Sequence, residues 1–266
     1  MADPGSSAGT TRPAIPCAGR QKGTAFETKN LPQAGLINNI LRRMLKLFKY
    51  VLTLIGAGLS EHKIIQAQSL TNYLRVGHWL KSHHFLFPRR VSDRRAVFGE
   101  LAAGVASRKV LYLEFGVAEG ASMRWWSRAL KNPEAVLHGF DSFEGLPEDG
   151  GPWRKGDFNM SGQVPVINDP RVKFFKGWFD RVLPTYSVCP HEVLVVNLDV
   201  DLYSSTIYVL RWLRPHLKPG DLLYFDDMSV VDHALRAFDE FTKESGLQLK
   251  AISADMTLAY VGFECV

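Results

Sequence analysis

The sequence predicts an α/β fold: a doubly wound, mainly parallel seven-stranded sheet with a helical N-terminal extension. Three observations predict it. Short apolar runs alternate with helical stretches from Lys109 onward, as strand–helix–strand units require. The first run, Val110–Gly120 (VLYLEFGVAEG), breaks into Gly116 and Gly120, which reads as a buried strand entering a tight turn before a helix. Later runs end in acids, at Asp141, at Asp199-Val200-Asp201 and at Asp226-Asp227. Ligands of open α/β sheets bind outside the carboxyl ends of the strands, so these tips are the candidate site.

A chain of 266 residues, 46% hydrophobic, suffices for one catalytic domain with an appendage. Cys17, Cys189 and Cys265 show neither metal spacing nor a disulfide framework, which points to a reducing, cytoplasmic setting. The charge is asymmetric. Residues 1–90 hold thirteen Lys/Arg against three Asp/Glu, and residues 91–266 hold nineteen against twenty-four. A basic arm on an acidic domain reads either as a contact with an anionic surface or as a solvated leader.

Residues 1–35 are rich in Gly, Pro, Ser, Thr and Ala and are expected to form a flexible tail. No apolar run follows Met1, so no secretory signal is expected, while a transit peptide stays open. The helical region expected next spans 36–107. In its first helix, 36–59, Leu36, Ile37, Ile40, Leu41, Met44, Leu45, Leu47 and Phe48 recur at helical spacing among Arg42, Arg43, Lys46 and Lys49. Its uninterrupted apolar part is too short for a membrane span, which needs about 20 residues. It reads either as a helix packed on the domain or on a second subunit, or as a basic amphipathic arm in peripheral contact with a membrane. A second helix is expected over 61–86, broken by Pro88-Arg89-Arg90, and a third over 93–107.

The domain proper is expected over 108–266, with strands at Val110–Glu114, Ala135–Phe140, Val172–Phe175, Val193–Leu198, Leu222–Phe225, Leu247–Ala251 and Thr257–Phe263. Helices are expected at Ser122–Leu130, Tyr203–His216 and Val231–Ser245. The short connection at Ser253–Met256 suits a hairpin, which would make the last strand antiparallel. The irregular stretch Gly145–Pro165 is long enough to serve as a lid or substrate wall.

The chemistry narrows from there. Gly116-x-x-x-Gly120 lacks the close glycine pair of a pyrophosphate fingerprint, and no G-K-[ST] loop exists. An adenosine cofactor without phosphates stays open. Asp141, at the second strand tip, is placed to accept hydrogen bonds from a ribose diol. Asp199 and Asp201 share a side if strand geometry persists, and a neighbouring parallel strand would bring Asp226 and Asp227 alongside. Four crowded carboxylates call for protonation or a cation, and a hard divalent ion suits oxygen ligands. The alternative is two independent helix caps at Asp201 and Asp227. His233 reads as a packing residue that a helical turn brings near the site. No Cys or Ser nucleophile is evident.

LEFGVAEGAS, GFDSFEGLPE, FFKGWFDRVLP, LDVDLYSST and LYFDD, in this order, resemble the macrocin O-methyltransferase (TylF-like) family over about residues 110–241. The resemblance implies a Rossmann-like class I methyltransferase that uses S-adenosylmethionine and Mg²⁺ to methylate a sugar hydroxyl. By position it implies cofactor contacts from Glu114, Gly116, Gly120, Ser122, Asp141 and Ser142, with Gly177 and Trp178 near the adenine. It implies Mg²⁺ on Asp199, Asp226 and Asp227, and Asp201 as general base. Many relatives have glycine at Val200 and glutamate at Ser204, differences that bear on the acceptor. The expected partners are a small-molecule or glycan substrate and a second copy of the chain, with no nucleic acid. The competing readings are a lipid-linked or phenolic acceptor, or a non-catalytic binding module.

Overall fold

The computed structural model describes residues 33–85 and 89–266, in two compact units divided between Gly58 and Leu59. The tail expected over 1–35 lies outside the described residues up to 32, and Pro88 also lies outside them. The first unit contributes helix α1 (Gln33–Ala57), which begins inside the expected tail.

The second unit opens with α2 (Glu61–Ser82), β1 (Arg89–Val91) and α3 (Arg94–Ala103). It continues through β2 (Val110–Phe115), α4 (Ala121–Ala129), β3 (Val136–Asp141), β4 (Val172–Lys176) and the short α5 (Phe179–Val182). It closes with β5 (Val193–Leu198), α6 (Tyr203–Leu213), β6 (Leu222–Phe225), α7 (Arg236–Ser245), β7 (Leu249–Asp255) and β8 (Val261–Cys265). A π-helical turn, Val231–Leu235, leads into α7.

The sheet has eight strands in the order β1-β7-β8-β6-β5-β2-β3-β4, not seven. The added β1 is a three-residue edge strand, parallel to β7. The last strand is antiparallel to both neighbours, as expected, and the rest run parallel. Its hairpin turns later than expected. β7 continues through Ser253 to Asp255, whose carboxylate then accepts the N–H groups of Thr257 and Tyr260 at 2.9 and 3.0 Å.

Alternation along the strands divides the core into two layers. Leu111, Leu113, Phe115, Leu194 and Val196 pack with Leu210, Phe238 and Phe241 of α6 and α7. Val110, Tyr112, Val193 and Val195 face the other way, onto Val97, Phe98, Leu101, Met123 and Trp126 of α3 and α4. Burial on both faces is why these strands read as unbroken apolar runs. Helix α2 joins the first layer through Val76, and Trp79 Nε1 donates to Asp239 at 3.2 Å.

The chain leaves β2 for β3 and β4, then returns to β5 and β6 on the other side. The β2–β5 seam is thus the switch point where a crevice opens in such sheets.

Candidate active site

The tips of β6, β5, β2 and β3 surround a cleft of about 380 Å³. Nine of the twelve site residues expected from the sequence line it: Gly116, Asp141, Ser142, Gly177, Trp178, Asp199, Asp201, Asp226 and Asp227. Glu114, Gly120 and Ser122 do not. Glu114 is buried beneath the turn and accepts a hydrogen bond from Tyr112 Oη at 2.8 Å. Burial pushes its carboxyl up to about 8. Gly120 caps α4 and abuts Pro165 of the insert, and Ser122 is buried in the first turn of that helix.

The glycine turn is dictated by its neighbours. Gly116 has φ +81°, and a Cβ there would lie 1.7 Å from the carbonyl oxygen of Asp199. Only glycine lets the β2 turn approach the β5 tip so closely. Backbone bonds join the same tips: Gly116 N–H donates to Phe140 at 3.0 Å, and Asp199 N–H to Phe115 at 2.9 Å.

Asp141 has a fuller role than expected. Its Oδ2 accepts the N–H groups of Val117 and Ala118 at 2.7 and 2.9 Å, and its Oδ1 accepts that of Phe143 at 2.7 Å. A carboxylate offers about four acceptor directions, so room remains for one ligand hydroxyl rather than a diol pair. Gly177 N–H donates to the Asp141 carbonyl at 2.9 Å, which brings Trp178, 38% exposed, to the cleft wall.

The acids converge, although not by persistence of the strand. β5 ends at Leu198, and Asp201 then takes a left-handed backbone with φ +58°; Asp227 does the same at +53°. Into this group reaches Arg94, the first residue of α3. Its Nη2 donates to Asp226 at 2.6 Å, and its Nη1 lies 3.3 Å from Asp199. Asp93 launches that helix by capping Ala96 N–H at 3.0 Å. Tyr224 Oη donates to the other Asp226 oxygen at 2.6 Å, and the Tyr260 ring lies 5.2 Å from the guanidinium.

Four carboxylates against one guanidinium leave an excess of negative charge. Burial, with Asp201 and Asp227 beside it, raises Asp199 to about 7 despite Arg94. Burial, with Asp227 and Asp226, raises Asp201 to about 8. Burial also raises Asp226 and Asp227. Among the described residues no three His, Cys, Asp or Glu side chains stand as a ready ligand shell. The helix-cap alternative is not seen: neither α6 nor the turn into α7 carries a side-chain cap.

Arg94, Tyr224 and Tyr260 are absent from the sequence reading. Arg94 is 132 positions from Asp226, and no local pattern links the two. The insert 145–165 does wall the cleft, through Gly145, Leu146, Pro147 and Phe158. His233 does not line it. It sits under the Gly150-Gly151 turn, where its Nδ1 accepts Tyr203 N–H at 3.2 Å.

Residues 109–262, more than half of the chain, match the family described as Macrocin-O-methyltransferase (TylF). Among curated proteins, the chain is 33% identical over 151 residues to the 8-demethyl-8-(2,3-dimethoxy-alpha-L-rhamnosyl)-tetracenomycin-C 4'-O-methyltransferase of Streptomyces olivaceus, covering 49% of this chain and 56% of that protein. It is 27% identical over 169 residues to the demethyldecarbamoylnovobiocin O-methyltransferase of Streptomyces niveus, covering 56% and 64%. The chain thus spans less than two thirds of the length of either relative. Among solved structures, the O-methyltransferase NovP aligns with a TM-score of 0.49 at 26% identity, over 64% of this chain and 76% of that one.

Proposed function

The chain belongs to the macrocin O-methyltransferase (TylF) family, and from that premise we propose that it moves a methyl group from S-adenosylmethionine to a hydroxyl of a sugar or glycosylated small molecule. One observation carries the reading: the glycine turn and the four acids meet in one cleft across the β2–β5 seam. The names of the two Streptomyces relatives, both O-methyltransferases and one acting on a rhamnosyl compound, support the acceptor class.

The residues fit the cofactor. A cleft of about 380 Å³ falls within the size range of small-molecule sites. Gly116 leaves room against the turn backbone, Asp141 retains an acceptor for a ribose hydroxyl, and Trp178 offers a flat wall to an adenine. When bound, S-adenosylmethionine supplies a methyl group already activated on a sulfonium.

The donor set also suits a hard divalent ion. Asp199, Asp226 and Asp227 would hold Mg²⁺, since Arg94 balances only part of their charge. Held there, the ion supplies a positive charge that favours ionisation of a nearby hydroxyl. Asp201, beside Asp227, would take the hydroxyl proton. The backbone bonds among the strand tips would keep acceptor oxygen and donor methyl in line. Leu146, Pro147 and Phe158 would cover the acceptor and exclude water.

The test is radiolabelled methyl transfer to a panel of glycosides and their aglycones, with and without EDTA. Transfer to glycosides alone, abolished by EDTA and restored by Mg²⁺, is expected. Asp201→Asn should lose turnover yet keep its affinity for S-adenosylhomocysteine. Methylation of aglycone phenols but no sugar would overturn the acceptor class, and full turnover in EDTA would remove the metal.

A further inference from the structure

Helix α1 carries a division that the methyl-transfer site does not use. From Asn38 to Ile55 each residue advances about 100° around the axis, and the side chains sort into two halves. One half carries Ile40, Leu41, Met44, Phe48, Val51 and Ile55, whose exposures range from 41% to 65%. The opposite half carries Arg42, Lys46 and Lys49, with Arg43 and Lys49 at its two rims. No Asp or Glu occurs from Gln33 to Ser60.

We propose that α1 is a membrane-surface helix that lies along anionic lipid, with its apolar half among the acyl chains and its cations at the headgroups. Three points favour this occupant. The apolar arc spans about half the circumference, broader than the narrow seam of a coiled coil. The α1 of a second copy would offer the rim cations no acids, because it is the same acid-free segment, whereas anionic headgroups carry the opposite charge. Long basic side chains at the edge of an apolar face extend their stems over it while the charge stays in water. No helix among the described residues is long and apolar enough to cross a membrane, so α1 lies in the interface instead of spanning it.

Surface binding of this kind is independent of the methyl-transfer reading, and its test uses no turnover. The full chain is sedimented with vesicles of phosphatidylcholine, alone or mixed with phosphatidylserine, and its mass in solution is followed by light scattering. Binding is expected only to the serine-containing vesicles and should fall in high salt. The double variant Lys46→Glu/Lys49→Glu should weaken it at least about 10-fold, each cation contributing to surface attraction. Phe48→Glu should abolish binding, while Thr53→Gln, on the polar half, should leave it unchanged. An unaltered thermal melt of the Phe48→Glu chain separates loss of binding from loss of folding. Absence of vesicle binding, equal binding to phosphatidylcholine alone, or binding that survives Phe48→Glu would overturn the proposal. A concentration-dependent dimer that Phe48→Glu dissolves, without vesicle binding, would overturn it in favour of a second copy as the occupant.

Discussion

The guanidinium of Arg94 stands 2.6 Å from the carboxylate of Asp226, so the first residue of α3 supplies a counter-charge to an acid group built by β5 and β6. Arg94→Gln should leave Asp226 and Asp199 without that partner. The expected loss is about 1–3 kcal/mol in urea melts, less than for a fully buried pair because a third of Arg94 meets solvent. Removing a positive charge beside the acids should also tighten Mg²⁺ binding in calorimetry and let excess Mg²⁺ recover part of the stability. A variant as stable as the parent, with unchanged ion affinity, would show that the pair is idle.

Gly116→Ala should be far more damaging than Gly120→Ala. Both positions have positive φ, but a Cβ at Gly116 meets backbone oxygen at 1.7 Å, whereas at Gly120 it meets the Pro165 side chain at 3.2 Å. The first substitution must push β2 and β5 apart, and affinity for S-adenosylhomocysteine should fall more than about 100-fold. The second is expected to cost about 1 kcal/mol. Titration calorimetry and thermal melts of the pair provide the comparison.

Trp178→Ala should weaken S-adenosylhomocysteine binding about 10-fold through loss of a stacking face. The residue is 38% exposed, so the melting temperature should change little. A fall in stability without a change in affinity would assign Trp178 to packing.

His138 makes stability depend on acid. Burial first, and then Lys173, lower its imidazole from 6.5 to about 4, with Tyr186 Oη 2.7 Å from Nδ1. A depressed histidine contributes stability that is present above the unfolded value and lost as pH falls from about 6.5 toward 4. The loss from this one group is at most about 3 kcal/mol. His138→Gln should flatten the melting profile between pH 7 and pH 4.5, roughly the titration range. Parallel profiles for the two proteins would sink the assignment.

The sequence was informative wherever burial imposed a pattern. β2, β5 and β6 are covered on both faces, so their apolar runs announced them. The glycines were legible because the turn has no alternative to them. β1 was not legible: Arg89-Arg90-Val91 is largely exposed and pairs only along one edge, so no periodicity marks it. The late hairpin was missed for a related reason. Ser253 and Asp255 look like turn residues, but they are buried at the end of β7, and Asp255 spends its carboxylate capping the turn that follows.

The acid group was legible as residues at strand tips, but its charge balance was not. Arg94 enters from a helix on the far side of the sequence, and the Tyr224 hydroxyl reaches Asp226 from within the same strand run. Asp141 shows the converse. Its position was readable, whereas the three backbone N–H groups it already serves emerge only when the turn folds around it.

The contact of Gly116 with the Asp199 carbonyl makes two neighbouring seats into one rigid fixture. Whatever is held at the β2 turn and whatever is held at the β5 tip cannot drift apart without breaking the sheet beneath them. The insert over 145–165 is free of that constraint, because it walls the cleft without belonging to any strand. On the proposed methyl-transfer reading, an insert grafted from a relative is expected to change the acceptor taken and to leave the Gly116–Asp199 fixture as it stands.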